Sequence, residues 1–570
     1  MATQQADISK SDKTGEIFPV YRPERRSREM DASFDAILVG GGSKGLVTAM
    51  YLARYGGMSV GIFERLHEVG GGLCYEEPAP GFTGDVCATE IWPWYYLPLQ
   101  MDFPDFEQKG ARVICGRVSQ GAAYAEDDAC ILFYHPDHDP DRMQTFRSIA
   151  SFSERDAEFY MKLWGLWQRG LRDILLEMRF NPPPPPAKPS PLARFFVDPR
   201  NRAIMDPHIN SMSLLQAGRV VWDSKEIVSY VLRRCASAGI DPNQPGEGIA
   251  MYLIPLIMPE AGGAAGGSHN IAHAAHRILL EHGASFFSQH EVDRILIENG
   301  RAKGIRLVDG TEVQARKLVV TDVDPWQLCL RLIGRENLSG DLVRKVEALE
   351  SWRACGYWYQ WAFREPPKYK SAQFNRDVNE CMCLVLTDRN LERYVREYAY
   401  RCMGALIPEP VVMVYSHPYD EGRCPEGRWV GITESPEVAA GRLTEEQWRA
   451  QKKVHGDYVI RTWSKYAPNV SWDNVIGYLP ITPYDIAQRL PNMAPNGNWI
   501  TLDTVPGQRY RNRPLPEMAY HRTPIQALYA TGVAWGFTYD ASCCQGYTCY
   551  KVISDDLGLR KPWQEQGRPW

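Results

Sequence analysis

The chain has 570 residues, of which 44% are hydrophobic and 23% charged, with a formal net charge of −5. It is too long for a single hydrophobic core, so two or more domains are expected. The mild negative charge gives no electrostatic reason to expect nucleic acid, and no run of about 18 apolar residues offers a membrane-spanning helix.

Residues 1–33 read as an exposed N-terminal arm. They are polar, and "YRPERRSRE" has no apolar core of the kind a secretory signal needs. The 14 cysteines are scattered. The close pairs, Cys381 with Cys383 and Cys543 with Cys544, lack zinc or redox spacing, and no disulfide framework is expected. The expectation is a cytoplasmic protein, with peripheral contact to a membrane left open.

The stretch "DAILVGGGSKGLVTAMYLARYGGMSVGIFER" runs from Asp35 to Arg65. The run "AILV" predicts a buried parallel strand. Gly40, Gly42 and Gly45 then form G-x-G-x-x-G. The first allows a tight turn, the second lets a pyrophosphate approach, and the third lets a helix pack on the strand. Ser43 and Lys44 lie between them, where the helix N-terminus presents free N–H groups to phosphate. "MSVGIF" predicts a second strand, ended by Glu64 at 24 positions from Gly40. An acid at about 20 positions binds a ribose hydroxyl and repels a 2′-phosphate. A dinucleotide site with an unphosphorylated ribose follows. Arg65 comes next, and Gly70-Gly71-Gly72 begins after a short spacer.

Further along, "IWPWYY" supplies Trp92, Trp94, Tyr95 and Tyr96 as aromatic pocket candidates. "DAEFYMKLWGLWQRGLRDILLEM" predicts one helix, and the prolines of "NPPPPPAKPSP" predict an extended excursion. "LARFF" after it offers exposed apolar residues to a membrane or a partner. His269, His273 and His276 share helical spacing, but no carboxylate stands at a matching position. They read as a solvated helix face, and no metal is expected. After a strand reaching Val292, the turns "ENGR" and "VDGTE" predict a hairpin, followed by the strand "KLVVT". Gly262-Gly263 and Gly266-Gly267 do not make a second dinucleotide fingerprint. "YWYQW" places Tyr357, Trp358, Tyr359 and Trp361 either at a pocket or on a strand with one buried face. Near the C-terminus "ALYATG" predicts a short strand, with a helix from about Ala541 to Asp556.

Three blocks in order resemble the phytoene dehydrogenase-related FAD oxidoreductases, which include carotenoid desaturases and isomerases. They are "LVGGGSKG…FERLHEVGGG…PGF", "PEAGG…HEVDRILIENGRAKGIRLVDG…VVTDVDP" and "NRPLP…YHRTPIQALYATG". The spacing from Glu64 to the Gly70 tract also resembles a motif of amine oxidase-type flavoproteins. The resemblance implies an α/β fold with a Rossmann-type FAD-binding domain, discontinuous in sequence, and an interleaved α+β substrate domain. The FAD domain is expected at 34–110, 262–335 and 496–562, and the substrate domain at 111–261 and 336–495.

The resemblance further implies that Gly70, Gly71 and Gly72 approach the FAD diphosphate and ribityl chain. It implies that Val292 contacts adenine through its backbone, and that Gly532 and Val533 approach the flavin. The sequence departs from the pattern where flavin and substrate should meet, in Gly72, in "AWGFTYDASCC" and in Tyr547-Thr548. Trp535, Phe537 and Tyr539 would narrow the pocket toward a smaller or cyclic molecule. The substrate pocket is thus expected at Trp92, Trp94, Tyr359, Trp361, Trp535 and Phe537, with Tyr539 as the candidate acid or base.

The implied reaction is hydride transfer between FAD and an apolar, isoprenoid-like or alicyclic substrate, by dehydrogenation, desaturation or the reverse. Oxygen or a quinone would serve as electron acceptor. The alternatives are a flavoenzyme with no net redox change, such as a double-bond isomerase or hydratase, and an amine oxidase-like enzyme.

Overall fold

The apolar run near the N-terminus forms strand β1 (Ser33–Val39), and the glycine turn leads into helix α1 (Ser43–Arg54) and strand β2 (Val60–Glu64). The computed structural model describes residues 33–185, 187–536 and 541–570. The middle of the chain returns with helix α2 (His269–Glu281), strand β3 (Ser285–Ser288) and the meander β4 (Val292–Glu298), β5 (Arg301–Leu307) and β6 (Glu312–Thr321). The last segment adds strand β7 (Leu528–Ala530) and helix α3 (Cys544–Leu557). The sheet order is β4-β5-β6-β1-β2-β3, with β7 beside β6. β1 pairs in parallel with β2 and β6, and β7 in parallel with β6. This is a Rossmann-type sheet with an antiparallel edge.

A second seven-stranded sheet draws its strands from residues 118–134, 356–436 and 475–481. It is mixed: the strand Cys383–Thr387 pairs in parallel with Val118–Tyr124, and Gly356–Phe363 pairs antiparallel with both neighbours. The long helix Glu445–Trp463, opened by a Thr444/Gln447 capping box, packs Trp448, Val459 and Trp463 into the cluster on one face.

Three local expectations differ from the structure. The single helix over "DAEFYMKLWGLWQRGLRDILLEM" is two, Glu154–Leu166 and Arg172–Phe180, joined by a π-turn in which Gly170 has φ 125°. Only glycine takes that conformation without strain, so the break is written into one residue of an otherwise helical pattern. "YWYQW" lies in the strand Gly356–Phe363, buried on both faces rather than one. The apolar residues of "LARFF" are not free: Leu192, Phe195 and Phe196 are half-buried against the main core.

α3 crosses α1 with almost no space between them. A Cβ on Gly546 would stand 2.3 Å from Lys44 O and 2.7 Å from Val47 Cβ. Thr48 Oγ1 donates to Gly546 O at 3.1 Å, which locks the same crossing. Gly546→Val should therefore destabilise the protein by about 1–3 kcal/mol. Denaturant unfolding checks this, and an unchanged midpoint would mean that the two helices can separate freely.

Candidate functional site

β1, β2, β6 and β7 end at one level. Val39 lies opposite both Phe63 and Thr321, and Thr321 lies opposite Ala530. The loops that follow therefore converge at the carboxyl edge of a parallel sheet, the ligand position of this architecture.

The first loop turns at Gly40, with φ 93°, and its N–H donates to Phe63 O at 2.9 Å. Gly42 is the N-cap of α1 and brings no capping side chain. Gly41 N–H donates to Glu64 Oε2 and Leu66 N–H to Glu64 Oε1, both at 2.7 Å. Burial raises the Glu64 carboxyl above its ordinary value, against the pull of these two N–H groups.

The second glycine tract is laced to the first. Gly70 N–H donates to Gly41 O at 2.7 Å, and Gly70 forms an isolated bridge with Gly42. A Cβ on Gly71 would stand 3.3 Å from Gly42 Cα. Beneath this tract lies His269, buried, with Nδ1 2.7 Å from Leu73 O and Nε2 3.3 Å from Glu68 Oε2. Burial alone would lower its pKa, but Glu68 and the Leu73 carbonyl more than offset that and raise it. His269 is thus not part of a solvated face, and Glu68, distant in sequence, is the carboxylate that spacing could not supply. Among the described residues no cluster is suited to hold a metal ion.

The third loop begins with Asp322. Its Oδ2 accepts Gly45 N–H at 2.7 Å, and burial pushes its carboxyl up to about 6 despite that bond and nearby Lys44. The fourth loop carries Gly532 and Val533, held from below by Arg513. That guanidinium donates to Val533 O at 3.1 and 3.2 Å and to Ile500 O at 3.0 Å. His521 joins β7 to α3 through Ala530 O at 2.9 Å and Thr548 Oγ1 at 2.8 Å.

One cavity touches all four loops. Its wall includes Gly40, Gly42, Ser43 and Lys44 from the glycine turn, and Gly71 and Gly72 from the second tract. Glu64, Arg65, Val292, Gln327 and Arg331 add a polar reach, and Leu490, Met493, Trp499, Val533 and Ala541 an apolar one. Gly45, Gly70 and Gly532 lie behind the wall rather than on it. Arg331 donates from Nη2 to Val292 O at 2.9 Å and pairs with Glu291 at 3.0 Å. Arg65 Nε is buried without a hydrogen-bond partner among the described residues.

Residues 38–103 match the NAD(P)-binding Rossmann-like domain family. The whole chain is 24% identical to one of the subunits of limonene dehydrogenase from Castellaniella defragrans over 549 residues, 93% of this chain and 96% of that one. A shorter stretch of 87 residues is 41% identical to the neurosporene-forming phytoene desaturase of Cereibacter sphaeroides, covering 15% of this chain and 17% of that one. The chain belongs to the phytoene desaturase-like FAD-dependent oxidoreductases. Cyclohexylamine oxidase from Brevibacterium oxydans shares the fold, with a TM-score of 0.54 at 14% identity over 92% of this chain and 99% of that one.

Within this family fold, the aromatic residues chosen from sequence do not meet at the cavity. Tyr359 and Trp361 point to the far face of the second sheet, in the cluster under the helix Glu445–Trp463. There Tyr359 OH donates to Lys452 O and Trp361 Nε1 to Thr433 Oγ1, each at 2.9 Å. Strand parity explains the miss: Trp358, on the opposite face, meets the wall residue Trp499 edge-on at 6.1 Å. Trp92 stacks on Tyr95 at 4.9 Å and donates to Ile257 O, and Trp94 lines a separate groove with Trp164 and Trp167. Trp535 is fully buried on the other side of the Rossmann sheet, in the cluster of Ile37 and Val319. Phe537 and Tyr539 lie outside the described residues. Asp322, His269, Arg331, Trp499 and Arg513 were not singled out from sequence. Only Asp322 had a local signal, as the acid directly after an apolar strand.

Proposed function

We propose that the chain binds FAD in this cavity and transfers hydride between the flavin and an apolar, isoprenoid-like or alicyclic substrate. The observation that carries this is one cavity joining a glycine cradle, the Glu64 and Val292 reach, and an apolar wall at Trp499 and Met493. The residues present fit the cofactor. A Cβ at Gly42 would stand 2.5 Å from Asp322 Oδ2, so the cradle tolerates no side chain, and the N-terminus of α1 opens on the cavity. Each Glu64 oxygen has a lone pair left for a ribose hydroxyl after its backbone bond. Arg65 Nε offers an unused donor nearby.

When bound, FAD supplies the hydride acceptor or donor. Gly42, Ser43 and Lys44 orient the diphosphate, and Glu64 rejects a phosphorylated ribose. Leu490, Met493 and Trp499 exclude water and hold an apolar substrate by area alone. The name limonene dehydrogenase on a relative covering nearly the whole chain supports a cyclic isoprenoid-like substrate. Among the described residues no helix is long and apolar enough to cross a membrane.

Acid precipitation should release FAD into the supernatant. Anaerobic addition of cyclic monoterpenes should then bleach the flavin band of the purified protein, and oxygen or a quinone should restore it. Bleaching by primary amines alone would replace the substrate class with that of an amine oxidase. Conversion of an alkene without bleaching would replace hydride transfer with isomerisation or hydration. Trp499→Ala should raise KM about 10-fold, the loss of roughly 1.5 kcal/mol of buried contact, while FAD stays bound. Steady-state kinetics with the flavin-loaded variant check this.

A further inference from the structure

Asp322 sits where the glycines of the site come closest. A Cβ would stand 2.5 Å from its Oδ2 at Gly42, 3.1 Å from the same atom at Gly45, and 2.9 Å from its Oδ1 at Gly532. Its own N–H donates to Val39 O at 2.8 Å, and Asn492 Nδ2 donates to its carbonyl at 3.0 Å, so the backbone is fixed on both sides. Gly42 caps α1 without a side chain, and the Asp322 carboxyl takes over that task on Gly45 N–H from 277 positions away. The positive end of α1 therefore already holds one acid, and a diphosphate arriving at Ser43 and Lys44 brings two further negative charges to the same helix end.

We propose that Asp322 is a cofactor-positioning residue that carries a proton whenever the diphosphate is bound, so that FAD binding takes up a proton. This rests on the FAD reading above. The groups facing Asp322 leave the protonated form as the one compatible with the ligand. Lys44 on α1 and the Gly45 N–H favour the carboxylate, while burial and Glu64 on β2 oppose it. The balance in the protein alone holds the carboxyl at about 6. A neighbouring diphosphate shifts it further toward the neutral acid. Neutral Asp322 can keep one oxygen on Gly45 N–H and turn its O–H toward a phosphate oxygen. The proton comes from solvent, and no bond is made or broken in the cofactor.

The sign follows. Below about pH 6 the free protein is already protonated and affinity is level. Above it, FAD must recruit the proton, and affinity falls by up to about tenfold per pH unit until the carboxyl of the complex itself ionises. Both FAD phosphates are diesters and do not titrate in this range.

The test titrates apoprotein with FAD by flavin fluorescence between about pH 5.5 and 8.5. Proton uptake is measured in parallel in weakly buffered solution. Wild type should weaken by about 10-fold or more across the upper two units and take up close to one proton per FAD there. Asp322→Asn keeps the size and an acceptor for Gly45 N–H. It should bind with an affinity independent of pH, take up no proton, and bind more tightly than wild type at the alkaline end. The proposal is overturned if the folded Asn variant keeps the wild-type slope, if it loses FAD at every pH, or if wild type takes up no proton. Should the Asn variant fail to fold, wild-type proton uptake alone decides. Failure of wild type to bind FAD at any pH would instead reject the cofactor reading.

Discussion

Glu64→Ala should lower FAD affinity by about 10- to 100-fold, the effect of losing roughly 1.5–3 kcal/mol at a charged acceptor. The carboxylate has two tasks in the structure. One is toward the ribose, and the other is internal: its oxygens hold Gly41 N–H and Leu66 N–H, each at 2.7 Å. Alanine orphans both donors at the point where the glycine turn meets the end of β2. The loop from Gly41 to Gly70 then keeps only its backbone bond at Gly70. The loss of affinity thus combines a missing ribose contact with a cradle that is no longer preorganised. Glu64→Gln separates the two. Its carbonyl oxygen keeps one N–H partner, but its amide faces the other N–H as a second donor, so its affinity should fall between wild type and alanine. Flavin titration and a thermal melt of each apoprotein measure both tasks. A folded alanine variant with unchanged affinity would remove Glu64 from the site.

The Rossmann unit was legible because its requirements are local. A tight turn, a close helix and an acid at the next strand end are all set within residues 35–64, so glycine positions alone specify the backbone path. The second sheet was less legible. In "YWYQW" every residue is buried, so apolar character says nothing about which face meets the cavity, and a parity choice became a coin toss. Gly170 shows the opposite problem, a single permissive residue overriding a strong helical period. His269 and Asp322 act through partners at 201 and 277 positions' distance, Glu68 and Gly45, and no spacing rule connects such pairs. What the sequence could not contain was the tertiary juxtaposition that turns ordinary acids and histidines into parts of a site.

Arg513 makes that last point most sharply, because nothing in "NRPLP" marks its arginine as a core residue. It is 1% exposed and spends its guanidinium on main-chain carbonyls: Val533, Ile500, Leu502 and Gln508. Val533 is on the cavity wall, so this one side chain ties the loop after β7 to the segment at 500–508. Arg513→Ala removes a large buried volume and leaves several carbonyls unpaired, at about 1–3 kcal/mol each and not additively. A total loss of about 3–5 kcal/mol is expected, a large share of the 5–15 kcal/mol typical of a folded domain. Arg513→Lys keeps the charge but replaces a planar fork with a single ammonium, which cannot reach carbonyls in three directions. It should therefore recover part of the stability while still failing to hold Val533, so FAD retention should remain impaired after the fold has been largely rescued. Denaturant midpoints and flavin content after gel filtration give the two readouts separately. If lysine restores flavin content as fully as it restores stability, Arg513 is a core residue with no special hold on the cavity wall.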